Sequence, residues 1–359
     1  MQINLVNLDA TAEVKRQAEI CNACRYCESY CSVFPALHRQ RHFDEASLVQ
    51  LANLCHNCRG CYYACQYTEP HEFDLNLPKA LAELRTDSWI AFAYPSKLAG
   101  LFQRQGTLIG ITLMLGFAVI FGLANWLGNL HGGQFYEVMS HSLMVAIFLP
   151  AFVLPMLTLV ASLRRYWQAM GGGTIQWQDL KAATMLVANM KNLAAGHGDG
   201  CNFEDEDRFS QARRYAHQAV MYGFLLCFAA TTVATAMHYL LDMPAPYAIW
   251  SVPKLLGVSG GILLSIGCIW MLKLKYQAER HLSDKSVWSG EVGFIILLGL
   301  VAVTGLLLYW LGNSHWMPSM LALHLGAVLS FFVLTPYSKM AHGFYRLIAL
   351  IKEAQQLRS

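Results

Sequence analysis

The chain has 359 residues, of which 55% are hydrophobic and 14% charged, with a formal net charge of +3 at neutral pH. A soluble protein carries roughly 25% charged residues, so the deficit points to a membrane, and no basic stripe interleaved with aromatics marks a nucleic-acid surface. The length permits two domains: residues 1–105 keep ordinary charge, whereas most later ones fall in long apolar runs.

Residues 1–20 are polar enough for a soluble helix, with Ala12, Ala18 and Ile20 on a loosely apolar side, and no targeting segment is apparent. Two copies of one spacing follow, Cys21, Cys24, Cys27, Cys31 and then Cys55, Cys58, Cys61, Cys65. Each reads C-x2-C-x2-C-x3-C, the run by which bacterial two-cluster ferredoxins hold cubane clusters, with the fourth cysteine of each run crossing to the other cluster. With that crossing, Cys21, Cys24 and Cys27 share one [4Fe-4S] cluster with Cys65, and Cys55, Cys58 and Cys61 share a second with Cys31. Two zinc ions are the alternative, but structural zinc sites usually pair two C-x2-C knuckles across a longer gap. Disulfides suit cysteines three apart on tight turns less well than a shared metal. The proline that commonly follows the fourth cysteine is replaced by Ser32 and Gln66, with Pro35 and Pro70 arriving later.

Between the runs, apolar positions three and four apart predict a helix over about Phe43 to Leu54. Pro78 opens another helical stretch, PKALAELR, that ends before Ser88, and the aromatic segment Trp89 to Phe102 suits an interfacial position against a bilayer. Six spans are predicted at about 106–128, 141–163, 218–241, 253–272, 290–312 and 321–341, each near the roughly 20 residues an apolar helix needs to cross. Charges inside them are few, Lys254, Glu291 and Lys339, and stand near their ends. The segments after spans two and four hold Arg164, Arg165, Lys181, Lys191, Arg208, Arg213, Arg214, Lys273, Lys275, Arg280 and Lys285, whereas 129–140, 242–252 and 313–320 hold no Lys or Arg. The positive-inside rule then puts both termini and the cysteine domain in the cytoplasm, where clusters stay reduced.

Histidines in the spans are functional candidates, because a polar side chain in hydrocarbon is costly. His217 and His342 fall at the cytoplasmic ends of spans three and six; His141, His238 and His324 fall at outer ends. Read as one helix, span six sets His324 and His342 five turns apart on one face, roughly 27 Å from each other. On span three, His217 and His238 share a broad face, about 60° short of six turns apart. Two such helices would clamp two b-type haems, one per leaflet; a single haem, with the other histidines at a quinone site or serving nothing, is the alternative. In the loop 164–216, the glycines at 171–173 and the run GHGDGC read as turns, and Glu204 to Asp207 as solvated acids, with His197 and Cys201 possible neighbours of a cluster. No G-x-G-x-x-G fingerprint follows a strand, so the chain itself binds no flavin or nicotinamide. Cys227 and Cys268 sit mid-span as small apolar residues.

The stretch HLGAVLSFFVLTPYSKMAH resembles the last helix of the cytochrome b (gamma) subunit of respiratory nitrate reductase, whose two histidines bind two haems, and ARRYAHQAVMYGF is similar to the entry of that family's other haem helix. That family's second histidine comes about ten residues after its first, whereas here it waits until His238, which makes His141 a rival partner for the outer haem. Over nearly the whole chain, the cysteine runs, the six spans and the loop GHGDGCNFEDEDRFSQARRYAH resemble the tricarballylate or citrate utilisation protein B family. The resemblance implies a bacterial inner-membrane protein that reoxidises the flavin of a cytoplasmic FAD-dependent dehydrogenase, similar to tricarballylate dehydrogenase, and delivers the electrons to membrane quinone. The expected fold is all-α, a two-cluster ferredoxin-like domain (1–105) fused to a six-helix cytochrome b-like bundle (106–359). A redox-linked transporter and a redox sensor or anchor without turnover are the competing classes.

Overall fold

The computed structural model describes residues 8–127, 138–194, 198–204, 207–243 and 245–358. Among the described residues the regular structure is helical, apart from one isolated antiparallel bridge between Cys201 and Ser210. The cysteine module uses α1 (Leu8–Cys24), α2 (Val33–Arg39), α3 (Glu45–Leu54), α4 (Gly60–Tyr63) and α5 (Leu77–Phe92). Helix α1 turns Val14, Gln17 and Ala18 inward, leaves Ala12 exposed, and carries Cys21 and Cys24 on its last turn. Asp44 caps α3, its carboxylate accepting the Ser47 N–H at 2.9 Å, which satisfies one of the donors left open at a helix start. Asn76 caps α5 in the same way, and Pro78 stands in its first turn, where its missing N–H costs nothing.

Helix α5 does not stop at Ser88. It continues to Phe92, and Trp89 and Phe92 are core residues rather than an interfacial belt: Trp89 Nε1 donates to Asn53 Oδ1 at 2.8 Å from within α3. Within the segment Trp89 to Phe102 the exposed aromatic and aliphatic residues are Tyr94, Leu98 and Leu101.

Six helices are long and apolar enough to cross a membrane: α6 (Ser96–Leu127), α7 (His141–Ala169), α9 (Ala212–Leu240), α10 (Val252–Gln277), α11 (Trp288–Trp310) and α12 (Met317–Leu334). Between α7 and α9 lies α8 (Trp177–Asn189). The backbone of α6 kinks at Gln105, and α7 ends where Gly171 takes a left-handed φ of +63°, the conformation glycine supplies most cheaply past a helix end. Helix α11 is central, flanked by α6, α10 and α12, while α9 lies along α10. Small residues set these approaches. A Cβ on Gly293 of α11 would stand 2.4 Å from the Thr107 nitrogen of α6, and one on Gly223 of α9 2.5 Å from the Leu264 nitrogen of α10. The coverage is uneven, since 56% of the apolar window of α12 is buried but only 6% in α7 and in α9.

The sixth predicted span is two helices. After Leu334 the chain turns through Thr335–Met340, and α13 (Ala341–Arg358) starts anew. Pro336 explains the break, because it offers no N–H and its ring collides with the carbonyl four residues earlier. His324 and His342 therefore do not share one helical face, and the register drawn from a continuous span six is corrected. Helix α13 also belongs with the cysteine module. Arg39 pairs with Glu353, Gln50 Nε2 donates to Gln356 Oε1 at 2.8 Å, and Arg358 reaches Asp179 of α8 at 3.1 Å. One apolar core runs from Val14 through Leu48, Leu84 and Trp89 to Tyr345 and Ala349, and takes in Tyr166 from the end of α7.

Candidate metal centre

The eight cysteines line two neighbouring cavities. Cys21, Cys24, Cys27 and Cys65 border the first, with Cys61, Arg25 and Tyr26. Cys31, Cys55, Cys58 and Cys61 border the second, with His56, Asn57 and Arg59. The fourth cysteine of each run thus lies against the first three of the other. Arg25, Asn57 and Arg59 adopt positive φ of 59°, 50° and 67°, a conformation uncommon for such residues, and it winds each run tightly enough to turn successive cysteines inward. The Asn57 N–H donates to Cys55 Sγ and the Tyr67 N–H to Cys65 Sγ, each at 3.3 Å.

Burial pushes the thiols of Cys21, Cys27 and Cys31 up to about 12 and those of Cys58 and Cys61 well above the usual range, with Cys65 raised as well; neighbouring cysteines add to the effect. Protein alone does not favour thiolates here, and a bound cationic metal core is the group that would. Among the described residues no three His, Cys, Asp or Glu side chains converge on a single metal ion. Four thiolates around a cubane stand further apart than four on one zinc, whose Zn–S bonds are about 2.3 Å, so the donor set fits clusters better than zinc.

The second run is held from all sides. Arg85 Nη1 and Arg346 Nη2 both donate to the Cys55 carbonyl, at 2.8 and 2.7 Å, and Arg213 Nη1 donates to the Asn57 carbonyl at 2.8 Å. The Asn202 N–H donates to the Cys58 carbonyl at 2.9 Å, while Arg59 Nη1 donates to the Phe203 carbonyl at 3.1 Å. The loop before α9 is therefore a clamp on this run. Its glycines do turn the chain, with φ of +86° at Gly198 and +109° at Gly200. Cys201 is buried and its thiol donates to the Leu193 carbonyl at 3.2 Å; His197 lies outside the described residues. Of the acids, Glu204 pairs with Arg208 and Asp207 accepts from Asn202 Nδ2.

Beneath the second run, at the near end of the bundle, His217 of α9 and His342 of α13 face each other with ring centroids 5.8 Å apart and planes at 71°. Two imidazoles on opposite sides of one iron, with metal–nitrogen bonds of about 2.0–2.1 Å as for other imidazole–metal sites, place their centroids roughly 6 Å apart. The pair fits a haem iron. His342 Nδ1 donates to the Lys339 carbonyl, leaving Nε2 for a metal, while the buried Nδ1 of His217 has no protein partner. Such an outer hydrogen bond fixes the tautomer and orientation of a ligating histidine. Lys339 and Lys275 both pair with Glu291, which pins the turn before His342 to α10 and α11.

The far end is arranged differently. His141 stacks on His238 with centroids 4.2 Å apart and planes at 28°, and His141 Nε2 bonds the Tyr239 hydroxyl at 2.8 Å. Those rings are closer than two ligands of one iron. His324 is not their partner: its Nδ1 bonds Thr304 Oγ1 at 3.1 Å, and its ring packs on Gly305 of α11. The expected facing of His238 and His324 fails because it rested on the unbroken sixth span. Between the two histidine levels Phe152, Phe224, Phe228, Phe331 and Phe332 meet ring to ring.

Sequence reasoning missed His56 and the arginines. His56 lines the second cavity, and neither buried ring nitrogen has a hydrogen-bond partner. Arg213 and Arg346 stand four residues from His217 and His342, a spacing that puts each pair on one helix face, and this was the available signal.

Compared with known proteins, residues 14–91 match the family model "Citrate utilization protein B Fer4-like domain" and residues 124–359 match "Citrate utilization protein B". The chain is 40% identical over 352 residues, 97% of its own length, to the "Citrate utilization protein B" of Escherichia coli, of which the alignment covers 93%. No solved structure matches.

Proposed function

We propose that this chain, which belongs to the citrate utilization protein B family, is a membrane electron-transfer protein that reoxidises the flavin of a cytoplasmic dehydrogenase and reduces membrane quinone. The observation that carries the reading is the sorting of eight cysteines into two adjoining cavities, the second of which is lined by His56, an electrostatic neighbour of the His217 that faces His342. In this reading Cys21, Cys24, Cys27 and Cys65 hold one [4Fe-4S] cluster, Cys31, Cys55, Cys58 and Cys61 hold the other, and His217 and His342 hold a b-type haem. Such groups exchange one electron at a time, which divides the two-electron output of a flavin.

The chain's own residues order these sites. Cys24 is exposed and Tyr26 is 68% exposed, so the first cavity is the one a soluble flavoprotein reaches. Arg346 joins the carbonyl of Cys55 to the helix that carries His342, and Arg213 joins the carbonyl of Asn57 to the helix that carries His217. The lysines and arginines of the near-end loops support a cytoplasmic location for both termini and the cysteine module. The tricarballylate or citrate pathway is the proposed source of the partner's substrate.

Iron, acid-labile sulfide and haem assays on purified protein, with a dithionite-reduced spectrum, test the reading. Both clusters and b-type bands are expected; zinc in place of iron, or no haem bands, would overturn the corresponding assignment. His217→Ala and His342→Ala should each abolish the near-end haem, and His324→Ala should spare it. One haem per chain assigns the near pair alone, whereas two require His141 and His238 to part around a second iron. Supplying a reduced flavoprotein should reduce quinone, and a quinone pool left oxidised would favour the sensor or anchor reading.

A further inference from the structure

Three arginines converge around His56, and among the described residues none of them forms an ion pair with a carboxylate. The electrostatic neighbours of His56 are Arg346, Arg213, Arg85 and His217. Each arginine spends a guanidinium N–H on the backbone of the second cysteine run or its flank: Arg85 and Arg346 on the Cys55 carbonyl, Arg346 also on the Asn53 carbonyl at 3.3 Å, and Arg213 on the Asn57 carbonyl. Every acid that forms an ion pair among the described residues has another partner, including Glu353 with Arg39, Glu204 with Arg208 and Glu291 with Lys275 and Lys339. Arg85 is 7% exposed, and the buried Nε of Arg213 finds no hydrogen-bond partner. The first cavity is different. The arginine that lines it, Arg25, lies at the surface, and its Nε donates to the carbonyl of Asn22 in the same turn.

Buried cations without counter-charge are costly, and a negative group beside them offsets that cost. Four thiolates around an iron–sulfur core supply such a group, and it gains a further negative charge on reduction. We infer that Arg85, Arg213 and Arg346 hold the reduction potential of the cluster in the second cavity above that of the first, so that an electron is favoured on the membrane side of the module. The inference rests on the proposal that the two cysteine sets hold clusters. They act as positioning charges and touch no reacting atom. A unit charge about 12 Å away, through an effective dielectric of about 20, changes the reduced-to-oxidised ratio of a one-electron centre roughly tenfold.

The test is a redox titration of full-length protein followed by electron paramagnetic resonance, with iron and sulfide content measured first. In Arg346→Gln the midpoint of one cluster should fall, so that its reduced-to-oxidised ratio at fixed ambient potential drops about tenfold, or 59 mV for one electron, while the other cluster stays put. Arg346→Lys should restore most of the shift, and Arg25→Gln should leave the shifted cluster unmoved. Should Arg346→Gln lose iron, Arg213→Gln carries the same expectation, because its contact is to Asn57 rather than to a cysteine. Midpoints that stay fixed, that move together, or that Lys fails to restore would overturn the inference, the last by making the carbonyl grip and not the charge responsible. Wild-type protein without iron and sulfide would instead overturn the cluster reading beneath it; wild type with both clusters and unshifted variants overturns the inference alone.

Discussion

The two cysteine runs have the same spacing and opposite surroundings. The first closes α1 at the surface, with Cys24 exposed and few side chains holding it. The second, with Cys55 and Cys58 each 8% exposed, is gripped by residues from α5, α9, α13 and the loop that Asn202 anchors. A repeated motif thus fixes which groups can bind metal but not what each copy exchanges with. What packs around them differs, solvent for the first and, for the second, α5, α13, the membrane-capable α9 and the loop before it.

The largest expected effect breaks the pairing itself. Cys65→Ser and Cys21→Ser should each remove about half the iron, and combining them should cost no more than either, since ligands of one cluster act as a unit. Cys65→Ser combined with Cys55→Ser should remove nearly all of it. Iron and sulfide per chain decide the matter, and additive losses from Cys21 and Cys65 would contradict the crossed sets. A smaller effect tests how firmly the second run is held. Asn53→Ala strands the buried Trp89 N–H, bonded at 2.8 Å, and removes the donor to Ser88 Oγ, so stability should fall by about 1–3 kcal/mol, read as a lower denaturation midpoint. The smallest lies beside the first run. Arg16 and Glu13 pair on α1 with side chains 43% and 41% exposed, and Arg16→Ala should cost no more than about 0.5 kcal/mol in the same measurement.

Much of this was legible from residue order. The crossed cysteine sets read from the spacing are the ones that border the two cavities, hydropathy placed all six membrane-capable helices, periodicity marked the helix before Cys55, and Pro78 marked a helix start that the structure contains. The errors share a cause, which is that periodicity does not reveal where a continuous apolar pattern is interrupted or what finally covers it. Pro336 stood in plain view, yet apolar residues on either side hid the break, and with it the separate fates of His324 and His342. Trp89 read as an interfacial aromatic because its partner, Asn53, lies 36 residues earlier on another helix. The arginine frame was the least legible part, since Arg346 meets Cys55 across 291 residues. A helical spacing of four marks Arg213 with His217 and Arg346 with His342 only after the histidines are known to face each other.

The return of α13 onto the cysteine module orders events in time. Arg346 lies beyond the sixth membrane helix, so the cage around Cys55 cannot close until every span has been synthesised. Domains generally fold from the N-terminus during synthesis. Here the first-made module waits for the last-made helix, and the second cysteine run gains its Arg346 contact only once that helix has been added.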